Sequence, residues 1–250
     1  MAHLSTVRAV DNSIIQLEVE DADKDALHSW CGHVRYLPKY GSRNTTADVW
    51  ALELAPKSSL GSAVFSVGGR ERERFSLAGG ELVIYDCKTP QDARWAAWLG
   101  PWHMAHGMFY APMWESQDIV ETFTRVAWTD TPEGLTADAG QRFDLSMALY
   151  IQTIAGVGTL HVQTKQAGAK QIPKWRGYEA PAGEIWRLEA APDSQTQPLL
   201  MVTDSAVVTL TPWDAPRESQ PGVSVRAKGI APEESAADFL TKIKRLAWTA

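Results

Sequence analysis

Cysteine is scarce in this chain: Cys31 and Cys87 are the only two in 250 residues. Two thiols cannot build a disulfide framework, so both are expected as buried free cysteines and the fold must be held by its core. Histidine is also sparse, at six. There is no tight His-x-His pair of the cupin kind, and no Cys-x-x-Cys pair of a closed zinc site. A Gly-x-Ser-x-Gly elbow is missing, and Gly68-Gly69 lacks the Gly and Lys that would make a phosphate loop. With these sets absent, no catalytic residue, cofactor or metal ligand is assigned, and the chain is read as a structural or binding protein rather than an enzyme.

A basic excess is lacking too. Lys and Arg number 24 against 30 Asp and Glu, for a net charge of −6, which disfavours a general nucleic-acid binder. No apolar run approaches the roughly 20 residues that span a bilayer, and Met1–Val10 has no signal-like apolar core. The expectation is a chain made and folded in a cytoplasm, without membrane insertion. Its composition, 44% hydrophobic and 22% charged, is that of an ordinary globular protein.

Tryptophan, by contrast, is abundant. There are 11, and five of them fall between Trp95 and Trp128. An indole suits a core, an interface or a sugar-stacking platform alike, because it joins a large apolar face to one N–H.

Alternation predicts strands through most of the chain. Phe143–Gln152 is the clearest, and Trp50–Leu54 and Leu160–Thr164 follow the same period of two. Shorter strands are expected at Ile14–Val19, Ala63–Val67, Glu81–Cys87, Ile119–Trp128, Glu184–Leu188, Leu199–Thr203 and Ala206–Thr211. Gly79-Gly80, Thr131–Gly134 and Gly156-Val157-Gly158 supply turns. Three helices are expected. Asp21–Trp30 stops at Gly32, and Thr89–Leu99 has Thr89 as N-cap, Pro90 in the first turn and Gly100 as stop. Pro232–Trp248 is amphipathic, with Phe239, Leu240, Ile243 and Leu246 in one stripe. The fold class is therefore mainly β with a few short helices: a β-sandwich, one large or two smaller, ending in an amphipathic helix. A division into residues 1–128 and 129–250 would place the boundary at Thr129–Gly140, which also reads as a long hairpin loop.

Two features stand out as candidate interaction surfaces. Arg70-Glu71-Arg72-Glu73-Arg74, as a regular strand, puts three Arg on one face and two Glu on the other. The plain reading is a solvated edge strand; the functional one is a polar subunit interface. Trp98, Trp102, Phe109, Tyr110 and Trp114 read as core by default, but Pro101 and Pro112 imply an irregular loop, where interaction residues gather. His28, Cys31 and His33, with His103 and His106, read as scattered histidines and a thiol before they read as a metal site.

Residues 68–114 carry a family pattern: Gly-Gly-Arg-Glu-Arg, a strand-like Leu82–Tyr85, a capped helix Pro90–Leu99, then Trp102, His103, Gly107 and Phe109 leading into Ala111-Pro112-Met113-Trp114. That order resembles minor tail proteins of tailed bacteriophages and gene transfer agents, of the distal-tail type. The resemblance implies a virion protein of the tail tip or baseplate, assembled in the host cytoplasm into a ring or hub. Its partners would be copies of itself and other tail proteins, with a glycan or host receptor within reach of the tip. Arg70, Glu71, Arg72, Glu73, Arg74, Trp102, Phe109 and Trp114 are the expected interface residues. Two alternatives stand beside this. One is a carbohydrate-binding β-sandwich, adhesin or lectin-like, whose exposed Trp stack on sugars. The other is a metal-dependent β-barrel enzyme using His103, His106 and one carboxylate.

Overall fold

The computed structural model describes residues 2–38, 50–110, 114–140, 143–190, 196–213 and 232–250. The chain is mainly β, with few short helices. In order it forms β1 (Ala2–Arg8), β2 (Ile14–Glu20), β3 (Cys31–Pro38), β4 (Trp50–Pro56), α1 (Leu60–Ser66), β5 (Arg70–Leu77), β6 (Gly80–Asp86), β7 (Ala93–Leu99) and β8 (His103–Tyr110). There follow α2 (Ser116–Thr124), β9 (Ala127–Thr131), β10 (Gly134–Asp138), β11 (Phe143–Ile154), β12 (Gly158–Thr164) and α3 (Lys165–Gly168). The last are β13 (Tyr178–Ala180), β14 (Gly183–Arg187), β15 (Leu199–Val202), β16 (Ala206–Pro212), α4 (Pro232–Lys242) and β17 (Arg245–Thr249).

The chain divides into two compact units. One holds residues 1–6, 14–29 and 150–250, the other residues 7–13 and 30–149. The division falls inside β11, and Thr129–Gly140 contains the β9–β10 hairpin, within the second unit.

In the second unit the sheet order is β3-β4-β8-β7-β6-β5, antiparallel from β3 to the edge at β5. Alternation sorts its side chains onto two faces. On one, Val83, Tyr85, Trp95, Ala97, Leu99 and Met104 pack against Leu60, Ala63, Val64 and Val67 of and just after α1. On the other, Leu82, Ile84, Trp98, Ala105 and Phe109 are buried, and α2 and the β9–β10 hairpin bring Ile119, Phe123 and Trp128.

Several sequence expectations are corrected here, each for a physical reason. Thr89–Leu99 is not a helix; Ala93–Leu99 is the strand β7 at the middle of the sheet. A strand covered on both faces loses its alternation and reads as a continuous apolar run, which a capped helix mimics. Ala63–Val67 is not a strand. Leu60, Ala63, Val64 and Val67 recur at helical spacing, and Phe65, which suggested alternation, faces away at 87% exposure. Ile119–Trp128 is likewise not one strand. Its first half lies in α2, opened by a Glu115/Asp118 capping box that buries Ile119, Thr122 and Phe123, and only Ala127 onward is β9. Asp21–Trp30 contracts to a 3-10 turn over Asp21–Ala26, and Gly32 pairs with Leu54 inside β3 instead of stopping a helix. The C-terminal helix ends at Lys242, and Leu246 sits opposite Leu17 on β17.

In the first unit β13-β14-β15-β16-β12 form an antiparallel sheet that ends on the second half of β11. Gly156 and its neighbours turn the β11–β12 hairpin as expected. One face buries Trp186, Leu200 and Val207 with Ile172, and α4 packs on β15 and β16. A second sheet, β1-β2-β17, carries buried Ile15, Leu17 and Val19. No described helix is long and apolar enough to cross a membrane.

Candidate functional site

The sheet's second face in the unit of residues 7–13 and 30–149 is organised by a column of aromatic rings. Trp98 stacks on Trp128 with centroids 5.5 Å apart. Trp128 meets Phe123 at 6.2 Å and Phe123 meets Phe109 at 6.1 Å. Trp114 then stands edge-on to Phe109 at 5.2 Å. Each end of this column holds one of the expected interaction features.

At the Trp98 end lies the β7–β8 turn, Gly100–Trp102. Asp130 is two residues beyond Trp128 on the same side of β9, so its carboxylate reaches this turn. One of its oxygens accepts the Trp102 amide at 2.7 Å and the His103 amide at 3.0 Å, and the other meets His103 Nδ1 at 2.7 Å. The carboxylate is nearly inaccessible, at 2%. A Cβ at Gly100 would collide with it, which is why glycine is required there. The clamp leaves the Trp102 side chain projecting, 47% exposed, from a fixed backbone.

At the Trp114 end lies the edge strand β5. A β-bulge between Glu71 and Glu73 breaks its alternation, so the expected division of three Arg from two Glu does not occur. Instead each face mixes signs. On one, Arg74 pairs with Glu71 at 2.9 Å and with Glu81 at 2.5 Å. On the other, Arg72 pairs with Glu73 at 2.9 Å and with Asp86 at 3.2 Å. Ser116, at the start of α2, donates to Glu73 at 2.7 Å, and Arg94 donates to the Trp114 carbonyl at 2.8 Å. The Ser116 hydroxyl, then Arg72, holds the Glu73 carboxyl below its ordinary value, and Arg74 does the same to Glu71.

The structure thus brings Arg72, Glu73, Phe109 and Trp114 together, with Phe109 buried and Trp114 half-buried as supports. Trp102 is not with them. It lies beyond the opposite end of β8, about seven residues or roughly 23 Å along the strand. The Trp102–Phe109 stretch, expected as a loop, is mostly β8. Ala111, Pro112 and Met113 lie outside the described residues. Of the resemblance, the Arg/Glu strand and the Leu82–Tyr85 strand are present, while most of the expected helix is β7 and most of the described part of the expected loop is β8.

The opposite face of the same sheet carries a row of titratable groups. His33, Glu53 and His106 sit directly opposite one another on β3, β4 and β8. His33 Nε2 is 3.5 Å and His106 Nε2 3.7 Å from the Glu53 carboxylate, in a cavity of about 760 Å³ beside α1. His106 packs on the Trp95 ring at 4.9 Å, and burial pushes its pKa below the usual 6.5, with Glu53 opposing and His33 assisting. His103 and His106 lie three residues apart on one strand and so project to opposite faces; they cannot share a metal ion as the metal-enzyme alternative requires. Among the described residues no three His, Cys, Asp or Glu side chains form a group that could hold one. Both cysteines are free, with thiol pKa values raised by burial.

His33 and His106 were named in the sequence as scattered histidines, but Asp130, Glu53 and the row that Glu53 forms with the two histidines were not. Asp130 lies in a turn-rich stretch with no motif, and the row exists only through the pairing of β4 with β3 on one side and with the distant β8 on the other. Comparison with protein-family models, with curated proteins and with solved structures finds no match to this chain.

Two outcomes follow. Asp130→Ala removes the charged acceptor shared by the Trp102 and His103 amides and should cost roughly 1–3 kcal/mol. Hydrogen exchange at Trp102 and His103 should accelerate well beyond that of the rest of β8; unchanged protection there would contradict the clamp. For His106, the unfolded chain takes up a proton near 6.5 and the folded protein only at lower pH. Stability is therefore lost as pH falls through that window. His106→Gln should flatten the loss between about pH 7.5 and 5.5 in urea titrations, and an unaltered slope would exclude His106 as its source.

Proposed function

We propose that this chain is a structural protein of a phage tail tip, joining head to tail with copies of itself and docking neighbouring tail proteins. The observation that carries this is the separation of the expected interface residues into two patches at opposite ends of one strand. One patch is a projecting indole on a clamped turn; the other is an ion-paired edge strand backed by Trp114. A ring subunit needs two different surfaces that complement each other, since heterologous contacts close by rotation.

The chemistry of the patches suits that role. Trp102 is a rigid aromatic anchor of the kind that dominates interface energetics. The charges of β5 from Glu71 to Arg74 are already paired, so docking orders few side chains, and a flat strand edge that would pair indiscriminately is avoided. The sequence resemblance supports the setting through its first two elements only. The proposed location is the virion tail, with assembly in the host cytoplasm.

A mixing experiment tests the contacts. Trp102→Asp removes one patch, and Arg70→Glu with Arg72→Glu reverses the other; both changes are on exposed side chains. Each variant alone should fail to assemble, while an equimolar mixture should sediment as a dimer, because one intact joint remains. Mixtures that rebuild closed rings, or variants that assemble like the wild type, would contradict head-to-tail contacts. Immunogold labelling of tailed particles from the source cells should mark the tail end, and unlabelled tails would overturn the setting.

A further inference from the structure

The unit of residues 1–6, 14–29 and 150–250 presents a groove unrelated to the patches above. Trp186 is buried in this unit's core with Leu200 and Val207, and its indole N–H donates to the Trp175 carbonyl at 2.9 Å. Two residues on, Gly177 lies flat on the same indole, where any Cβ would fall 2.7 Å from the Trp186 ring. The Arg176 guanidinium pairs with Glu179, and the Gly177 amide points at the Glu184 carboxylate, 3.5 Å away. The backbone of Trp175 is therefore fixed on a buried tryptophan, while its own indole is left 68% exposed.

That indole borders a groove of about 760 Å³ at the edge hairpin β13–β14. Its charged lining is Lys165, Lys174 and Arg176 against Glu179, Glu184 and Asp204, three of each sign, so the groove has no net charge. A balanced lining selects against phosphates and against cations alike. It supplies donors and acceptors side by side next to an apolar ring face, which is the requirement of a neutral, polyhydroxylated ligand. Tyr178, also exposed, pairs with Ile185 and projects from the other face of the hairpin, so the platform is Trp175 alone.

We propose that this groove binds a neutral saccharide, with one pyranose ring stacked on Trp175 and its hydroxyls held by the surrounding carboxylates and ammonium groups. The site is independent of the assembly contacts and stands or falls without them. It also differs from the aromatic cluster at residues 98–114, which the sequence reads as core by default: of those rings, Trp98 and Phe109 are buried.

The test is ligand-observed saturation-transfer NMR and calorimetry on the full chain with cellotetraose, chitotetraose and maltotetraose. At least one should bind. Trp175→Ala should weaken that binding about tenfold or more, as loss of a central aromatic contact does, while Trp175→Tyr should keep most of it and Trp102→Ala should leave it unchanged. Since the Trp175 side chain is exposed, both variants should match the wild type in circular dichroism and melting temperature. Binding that survives Trp175→Ala, silence from all three sugars, or a response to inorganic phosphate in their place would each overturn the proposal.

Discussion

The aromatic column Trp98–Trp128–Phe123–Phe109–Trp114 is the contact on which the rest of its unit depends. Its rings come from four separate segments: β7, β8, α2 with the residue leading into it, and β9. No local propensity would hold these together. A seven-residue strand covered on one face only is marginal, and a nine-residue helix such as α2 does not persist alone in water. Burial of rings whose removal costs about 3–5 kcal/mol each is what fastens α2 and the β9–β10 hairpin to the sheet.

Both surface patches are consequences of that fastening. Asp130 reaches the β7–β8 turn because Trp128 is seated on Trp98, and it then orders the backbone under Trp102. Ser116 reaches Glu73 because Phe123 and Trp114 seat α2 against Phe109. The exposed features are thus held by buried ones, and the ordering entropy of their backbone is met by the chain's own packing. The groove at Trp175 follows the same rule in the other unit, where buried Trp186 fixes the segment that carries the exposed indole.

Much of the β framework was legible in the sequence. The half-exposed strands β4 and β12 announced themselves by alternation, because one face is wet and the other dry. β11 was legible as a strand but its buried face was not, since Tyr150, Gln152 and Ile154 are buried while Met147, in the alternating apolar set, is exposed. The edge strand Arg70–Arg74 was legible as a strand, but its charge pattern was not, since one bulge shifts every later side chain to the other face. β7 was misread for the opposite reason: burial on both sides erased its period. The sites were less legible still. Trp102 was named as an interface residue, yet Asp130, which holds it, has no sequence signature, and the Trp175 platform depends on a partner indole eleven residues away. A sequence records which residues are apolar; it does not record which aromatic rings meet.

The most direct measurement is residue-resolved hydrogen exchange on Phe123→Ala, which opens the column at its middle. The account predicts faster exchange at both ends together, at Trp102 and His103 under the Asp130 clamp and in the first turn of α2 at Ser116. Loosening confined to α2, with the Trp102 turn fully protected, would contradict the claim that one aromatic column positions both surfaces.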